Sequence, residues 1–311
     1  MKRIFKILCL SLPAVAFIFC GCNYDKMKST TTTGELTVIT DENVSGLIEK
    51  QIAEFTRLNT ESKIKLVVKT TDQTIADLCN GDVKTIVSSR ELNQKEIDVL
   101  KNNKLDVKKH QIALDGVGVI VNPKNPVRKL NYKELRKILS GEITDWKDLE
   151  GNNKDFYSGK IKSFVPRKQS FLHDFINEKV MAGADYSKGD VVCSTSTQML
   201  REIKSDPYSI GIISMNWITK QSDTLDEGIK PLKIAEVDSS GRAGDYVGLH
   251  QAYIADKSYP LTYYIYILST DFSMNLSVGF TSFVLAYDGQ KIVLRSGLVP
   301  VTQPVRIIQL N

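Results

Sequence analysis

Apolar residues follow two different periods along this chain, and the two periods alternate from residue 36 onward. Apolar positions recur at helical spacing from Val44 to Phe55, and a second helix is expected around 74–79. Short β-prone runs precede and separate these helices at 36–40, 64–68 and 83–87. With a third helix after the last run, this β-α-β-α-β-α order predicts a parallel sheet covered by helices.

Two helix starts carry the same capping pattern. Asn93 stands where an N-cap residue is expected, with Glu96 three residues further on, and Leu92 and Ile97 are placed to form a hydrophobic staple. The segment 130–135 repeats this pattern. Both helices are therefore expected to begin where these local signals place them.

A second α/β unit follows the first. Its opening strand, 112–121, is the most β-prone stretch of the chain, and we expect Asp115 and Gly116 to interrupt it. The remaining predicted elements are a strand 161–165, a helix 171–180, a strand 191–192, a helix 197–204, a strand 210–214, a β-prone run 260–268, a helix 278–287 and a terminal strand near 305–310.

The first 22 residues have the composition of a secretory signal. Lys2, Arg3 and Lys6 precede an apolar run over 7–19, which is too short for a membrane span of about 20 apolar residues. The run ends at Cys22 with a preceding glycine, an arrangement that resembles a lipobox, in which the cysteine becomes the lipidated N-terminus. The alternative is a plain signal peptide with incidental cysteines.

The residues after the signal are polar at first and then typical of a globular protein. The segment 23–34 is small and polar, so we expect a flexible tether there. The remaining chain of about 290 residues suits one large or two ordinary domains. Its net charge falls from +5 to +2 without the signal, which gives no reason to invoke nucleic acid. Cys79 and Cys193 lie in apolar surroundings and are expected either as buried free thiols or as a disulfide.

Five parts of the chain, in this order, resemble the phosphate-binding proteins of ABC importers, the PstS-like family. The stretch DGVGVIVN is similar to that family's crossover strand, and LNYKELRKILSGEITDW is similar to its helix, glycine stop and tryptophan turn. The resemblance covers nearly all of 35–311, and the C-terminal stretch is most similar to a Bacteroidetes-type branch. The five parts lie at 115–122, 130–146, 210–213, 259–268 and 289–300.

The resemblance implies an α/β, two-lobed type II periplasmic-binding-protein fold with two crossover strands. Lobe one is then discontinuous, 35–118 plus 258–311, and lobe two is 119–257. The ligand is expected in the cleft between the lobes, which agrees with the general rule that open α/β sheets bind ligands at the carboxyl ends of their strands.

An oxyanion site needs convergent N–H and O–H donors, which helix N-termini supply. The loop after the first strand offers Thr40, Asp41, Asn43 and Ser45 as ligand-binding residues. Acidic Asp41 and Glu42 depart from the glycine and hydroxyl residues that the family carries in this loop. Simple helix capping is the alternative role for these two carboxylates.

The loop after the third strand matches the family's Ser-Arg motif. Ser88 and Ser89 are expected to contact a ligand oxygen, and Arg90 either joins them or braces the loop. The family often places an aspartate five residues before the serine, where this chain has Lys84. The acceptor for a phosphate hydroxyl must then be another residue, and Asp41 and Asp115 are the candidates.

The crossover and the loop before the 171–180 helix complete the predicted site. Asp115 is expected either at the ligand or bound to backbone amides of the hinge. Arg167 and Ser170 match the family's arginine and serine, whereas Phe171 and Leu172 replace its glycine and threonine. Arg167 is therefore the expected oxyanion clamp, and Ser170 is expected as an N-cap that also faces the cleft.

Enzyme chemistry finds no support in the sequence. Ser170, His173 and Asp174 lie too close together on one helix to form a catalytic relay, because neighbouring residues there point apart. No Cys/His cluster has the spacing of a metal site. We therefore expect no catalytic residues, no metal and no cofactor.

These observations and the resemblance lead to one functional hypothesis and one alternative. The first is a lipid-anchored extracytoplasmic solute-binding protein in the cell envelope, facing the periplasm, which captures phosphate or a similar oxyanion and delivers it to an ABC importer. Its partners would be the permease subunits and the membrane, with no nucleic acid, and a monomer is expected. The alternative is an envelope binding or adhesion-type module of the same fold with a different ligand or none.

Overall fold

Strands and helices alternate in the computed structural model, which describes residues 29–149, 157–221 and 224–302. The strands are β1 (Gly34–Asp41), β2 (Ser62–Lys69), β3 (Thr85–Ser88), β4 (Lys108–Val121), β5 (Lys129–Asn131), β6 (Lys162–Pro166), β7 (Val191–Cys193), β8 (Ser209–Ser214), β9 (Thr219–Gln221), β10 (Thr224–Leu225), β11 (Lys230–Pro231), β12 (Lys233–Ala235), β13 (Thr262–Ser269) and β14 (Val299–Pro300).

Ten α-helices lie between these strands in the described residues, and the longer ones up to α6 follow the order that the hydrophobic pattern predicts. They are α1 (Ser45–Leu58), α2 (Thr71–Asn80), α3 (Gln94–Asn102), α4 (Tyr132–Leu139), α5 (Phe171–Ile176), α6 (Ser196–Ser205), α7 (Met215–Ile218), α8 (Gln251–Ala255), α9 (Leu276–Leu285) and α10 (Tyr287–Arg295). Short 3₁₀ turns lie at Glu42–Val44 and Trp146–Asp148, and the predicted helix 171–180 continues past α5 as a π-helical turn, Asn177–Met181.

One long strand joins two halves of a sheet whose order is β2-β1-β3-β13-β4-β8-β6-β7. β1 pairs in parallel with β2 and β3, and β6 pairs in parallel with β7 and β8. β4 pairs antiparallel with β13 up to Gly116 and with β8 from Val117 onward. The molecule therefore has the predicted two-lobed α/β fold, with β4 passing from one half to the other. The residue limits given above for the lobes remain predictions.

The expected break in the crossover strand at Asp115 and Gly116 is wrong, because β4 runs unbroken from Lys108 to Val121. Side chains pack onto the strand where the glycines leave room. A Cβ on Gly116 would lie 2.7 Å from Ile254 Cδ1, and one on Gly118 would lie 2.7 Å from Leu249 Cδ2. These glycines therefore admit close packing and do not end the strand.

Local capping signals place the helix starts correctly. Asn93 with Glu96 and Asn131 with Glu134 form reciprocal capping boxes at α3 and α4. Thr70 forms a further one at α2, where its hydroxyl accepts a hydrogen bond from the amide of Gln73 at 3.2 Å. Such caps stabilise a helix by about 1 kcal/mol each.

Apolar side chains fill both faces of the sheet. Trp146 is fully buried, and its indole N–H donates to the carbonyl of Tyr208 at 3.0 Å. Phe55 on α1 meets Phe280 on α9 edge to face, with ring centroids 5.6 Å apart. Cys79 and Cys193 are buried and free, so the free-thiol interpretation is confirmed. Burying each large apolar side chain contributes about 1.5–3 kcal/mol.

The start of the described chain packs against α9. The hydroxyl of Ser29 accepts from the amide of Leu276 at 3.3 Å, and a Cβ on Gly279 would lie 1.7 Å from the carbonyl oxygen of Thr31. Residues 29–34 of the predicted tether therefore contact the folded domain, while its residues 23–28 lie outside the described residues.

Several elements fall outside the sequence-based prediction. The short strands β9 to β12 and the helices α7 and α8 were not predicted, since most of these strands pair only two or three residues each. The predicted signal peptide, Cys22 and the terminal strand near 305–310 lie outside the described residues. Among the helices that are described, none is long and apolar enough to cross a membrane.

Candidate functional site

A cleft lies at the carboxyl ends of β1, β2, β6 and β7, where the loops of both halves of the sheet meet. It holds about 440 Å³ of empty space, part of it open to solvent. Polar residues from four loops line it, namely Glu42, Asn43, Thr70, Thr71, Arg167, Ser170, Ser194, Thr195 and Ser196. Because the carboxyl ends of parallel strands meet at one edge, this is the expected place for a ligand in such a sheet.

The N-terminus of α6 reaches the cleft from one side. Thr195 is the N-cap and accepts from the amide of Gln198 at 3.1 Å. The first helical residue, Ser196, donates its amide to the Glu42 carboxylate at 2.8 Å and its hydroxyl to the same carboxylate at 3.2 Å. A side chain from the loop after β1 thus binds the helix end that belongs to the other half of the sheet.

A second contact of this kind joins α2 to α5. The hydroxyl of Thr71, at the start of α2, accepts from the amide of Phe171, at the start of α5, at 3.0 Å. Ser170 caps α5, accepting from the amide of His173 at 3.4 Å, and its hydroxyl donates to the carbonyl of Arg167 at 2.7 Å. The start of α5 belongs to the same half of the sheet as α6, and this bond holds it against α2 of the other half.

Arg167 is half-buried and lines the same cavity as Glu42. Among the described residues, its guanidinium makes no hydrogen bond or salt bridge, and it acts on Glu42 through its charge. Burial raises the pKa of Glu42, against the opposing effect of the bonds from Ser196 and of the Arg167 charge. The cleft thus holds one carboxylate, several hydroxyl groups and two cations, of which Lys69 is paired with Asp77 and Arg167 has no ion pair among the described residues.

A buried polar network lies behind the wall of the cleft. Asp41 accepts from the amide of Ser89 at 2.9 Å and from its hydroxyl at 3.0 Å. Asn43 donates through Nδ2 to the Ser89 hydroxyl at 3.0 Å and to the Tyr263 hydroxyl at 2.7 Å. Burial raises the pKa of Asp41 to about 6, although the bonds from Ser89 oppose this rise.

Asp115 closes the network at the crossover strand. Its carboxyl group accepts from the Tyr263 hydroxyl at 2.7 Å, from Asn216 Nδ2 at 3.0 Å, from the Ser214 hydroxyl, and from the amide of Gly116 at 2.7 Å. Burial raises the pKa of Asp115, and these bonds lower it. The bond from the Gly116 amide agrees with one of the two roles expected for Asp115, the binding of backbone amides at the hinge.

One atom of this network has no partner. Asn43 is 5% exposed and lines the cavity, and its Oδ1 is buried without a hydrogen bond to any described residue. The orientation of the amide follows from its neighbours: Ser89 donates to Asp41 and Tyr263 donates to Asp115, so both hydroxyls need a donor from Asn43. Asn43 Oδ1 is therefore a buried acceptor without a partner among the described residues, on a residue that lines the cleft.

The predicted site residues divide into two groups. Asn43, Arg167 and Ser170 line the cavity. The others lie outside its lining, and they are Thr40, Asp41, Ser45, Ser88, Ser89, Arg90 and Asp115. Their contact with a ligand remains a prediction, and three of them, Asp41, Ser89 and Asp115, belong to the buried network.

Arg90 and Lys84 have partners away from the cleft. Arg90 forms salt bridges with Glu96 at 2.8 Å and with Asp72 at 3.4 Å, a geometry that braces its loop. Lys84 lies 3.8 Å from Asp271. These contacts agree with the second of the two roles expected for Arg90, in which it braces the loop after β3.

Sequence reasoning missed several residues of the site. Thr70 and Thr71 could have been found from the capping box at α2, and Ser196 from the run of hydroxyl residues after β7. Tyr263 and Asn216 carry no local signal, because Tyr263 meets Asp115 through the pairing of β13 with β4, and Asn216 reaches it from α7, just after β8.

Known proteins match nearly the whole chain. The family described as the PBP superfamily domain matches residues 26–286. The phosphate-binding protein PstS of Staphylococcus saprophyticus is 25% identical over 268 residues, 85% of this chain and 78% of that protein. PstS of Borreliella burgdorferi is 23% identical over 241 residues, which cover 75% and 78% of the two chains.

Solved structures match the fold. A proposed phosphate ABC transporter substrate-binding protein from Clostridium perfringens, with bound phosphate, has a TM-score of 0.71 at 20% identity, covering 86% of this chain and all of that one. An ABC-type phosphate transport receptor from Vibrio cholerae has a TM-score of 0.64 at 19% identity, with the same coverage. Both agree with the two-lobed architecture described above.

Proposed function

The chain belongs to the PBP superfamily and is PstS-like, and from this premise we propose that it captures phosphate in the interlobe cleft and delivers it to an ABC importer. Its curated relatives carry the name of phosphate-binding proteins, which are binding proteins and not enzymes. The chain is accordingly a binding protein, and its function consists of capture and release without a covalent step.

The observation that carries this proposal is the meeting of Arg167 with hydroxyl-bearing helix starts in one cavity. Arg167 supplies a fixed positive charge and a planar set of donors that suits an oxyanion. Thr70, Ser170 and Ser196 come from the starts of three different helices and line the same space. Helix N-termini favour bound anions, so three helix starts and one guanidinium facing the same space suit an oxyanion. The Ser170 and Ser196 hydroxyls would have to give up their present acceptors, the Arg167 carbonyl and Glu42, to donate to it.

Closure of the two halves on the anion is the proposed mechanism. Glu42 with Ser196, and Thr71 with Phe171, already join the loops of one half to the helix starts of the other. A ligand held between the same loops would bias the molecule toward the closed arrangement, because only that arrangement brings both sets of donors to it.

Asn43 is the acceptor that we propose for a phosphate hydroxyl. Asp41 and Asp115, the candidates from sequence, already accept at least two bonds each inside the network. Asn43 Oδ1 has no hydrogen-bond partner among the described residues, and it would accept from a ligand once the wall of the cleft moves to expose it. Hydrogen phosphate brings such a donor and sulfate does not, so sulfate would leave this buried acceptor unpaired.

Titration calorimetry of the full chain in detergent with phosphate and sulfate tests the proposal. Phosphate should bind and sulfate should not. Arg167→Ala should weaken phosphate binding by about 1.5–3 kcal/mol, the worth of a hydrogen bond to a charged group. Arg128→Ala, which removes an exposed arginine elsewhere, is the control. Equal and small effects from both variants would place the clamp elsewhere.

Lipid anchoring at Cys22 and a position in the cell envelope, facing the periplasm, are also part of this proposal. They are supported by the basic, apolar and Gly-Cys order of the first 22 residues. Mass spectrometry of the membrane-extracted protein should find a diacylglycerol on Cys22. A soluble product cleaved at another position would refute the anchor. The permease as partner and the monomeric state remain parts of the same proposal.

The second candidate function is an envelope binding or adhesion-type module with another ligand or none. The contact between Glu42 and Ser196 favours it, since a carboxylate already occupies donors that an oxyanion would use. Failure of the wild-type protein to bind either anion would support this alternative.

A further inference from the structure

The Glu42 carboxylate occupies the position that an anion would take at the start of α6. This helix contains ten residues, Ser196–Ser205, and its first amides have no partner within the helix. Glu42 accepts the Ser196 amide with one oxygen and the Ser196 hydroxyl with the other. The side chain comes from the loop after β1, in the other half of the molecule, so the contact is tertiary and not a local cap.

Two further observations show that this position belongs to a ligand cavity. Arg167 lines the same space, and its guanidinium has no hydrogen bond or salt bridge with any described residue. Asn43 is 5% exposed, lines the cavity, and keeps an unpartnered Oδ1. Buried acceptors without partners also occur away from the cleft, at Gln51 Oε1 and Asp190 Oδ2, so what points to a ligand here is the unpaired cation and the unpaired acceptor on residues that line one cavity.

We infer that Glu42 is an internal competitor for the oxyanion, so that a bound anion takes its place at Ser196. This inference rests on the proposed function. Two negative charges in one half-buried cavity repel each other, and a carboxylate cannot donate to an ionised oxyanion. The anion therefore binds fully only when the Glu42 side chain leaves Ser196 or loses its charge.

Internal competition has a measurable consequence. The association constant of the wild-type site equals that of a site without the Glu42 contact, multiplied by the fraction of molecules in which the Glu42 side chain has left Ser196. Removing the charge of Glu42 should increase anion affinity, whereas the loss of a merely structural contact would lower it. The direction of the change thus separates the two roles.

Glu42→Gln is the test variant, measured with phosphate by titration calorimetry on the full chain in detergent. The amide keeps the size of the side chain and can still accept from the Ser196 amide. We expect phosphate to bind about tenfold more tightly, the order of the effect of a charge at a helix end. Glu227→Gln, which neutralises an exposed carboxylate, should leave the affinity unchanged.

The outcomes separate this inference from the proposed function. Tighter binding to Glu42→Gln supports the inference, even if the wild type binds no phosphate and the proposed function fails. Equal or weaker binding to the variant overturns the inference, even if the wild type binds phosphate well. Absence of binding to both proteins also overturns it, because Glu42 is then not what excludes the anion. Glu42→Ala replaces the amide variant if circular dichroism shows that the latter does not fold.

Discussion

Removal of one hydroxyl group, in Tyr263→Phe, should destabilise the protein strongly. The hydroxyl is fully buried between the two halves of the molecule. It donates to the Asp115 carboxyl group at 2.7 Å and accepts from Asn43 Nδ2 at 2.7 Å. Phenylalanine keeps the ring and its contact with Phe171, whose centroid lies 4.4 Å away. The perturbation is therefore confined to the polar network.

The expected magnitude follows from what each partner loses. Asp115 loses one of several donors, at a cost of about 1.5–3 kcal/mol if the carboxyl group is ionised. Asn43 loses one of two acceptors and keeps the Ser89 hydroxyl, at a cost of about 0.5–1.5 kcal/mol. Partial relaxation of neighbouring side chains offsets some of this, so we expect a loss of about 2–3 kcal/mol in the free energy of unfolding.

Equilibrium unfolding in urea at neutral pH is the assay. Tyr264→Phe is the matched control, because Tyr264 is the next residue of β13, is half-buried, and points to the opposite face of the strand. It should change stability by less than about 0.5 kcal/mol. If the two variants lose the same small amount, the hydrogen bonds of the Tyr263 hydroxyl do not stabilise the fold.

Further variants probe the carboxyl groups and the backbone. Because the pKa of Asp41 is raised to about 6, its proton stabilises the fold below the ordinary pKa near 4, and this contribution is lost as the pH rises through 6. Asp41→Asn should therefore flatten the fall in unfolding free energy between pH 4 and 7, by about 3 kcal/mol at most. An unchanged slope would show that this group does not titrate there. Gly289→Ala should cost about 1–3 kcal/mol in urea unfolding, because the new Cβ would lie 2.4 Å from the carbonyl oxygen of Phe283. Gly46→Ala, in α1 with nothing within 4 Å of the new Cβ, should be neutral or stabilising by up to about 1 kcal/mol, and a loss in both variants would contradict the steric argument.

The element order could be predicted from sequence because its causes are local. Period and propensity mark each strand and helix, and the caps at Asn93 and Asn131 need only residues within one helical turn. Arg167 and Ser170, which line the cavity, could be singled out because they match the family's arginine and serine within one short segment, and their contact with a ligand remains a prediction. The prediction of a break at Asp115 and Gly116 was wrong because this glycine does not form a turn. It lies within β4, where the absence of a Cβ lets the side chains of Leu249 and Ile254 pack against the strand.

The arrangement of the site depended on contacts between distant parts of the chain. Glu42 and Ser196 are 154 positions apart, and Tyr263 and Asp115 are 148 apart. Whether an acidic residue in a loop caps its own helix or binds the helix of another lobe depends on how strands such as β4 and β13 pair, which no short segment of sequence specifies. The sequence by itself thus determined which groups are available for binding an anion. Only the tertiary structure decided which of them are already bonded to one another, because hydrogen bonds act over about 3 Å and side chains come that close only after the sheet has formed.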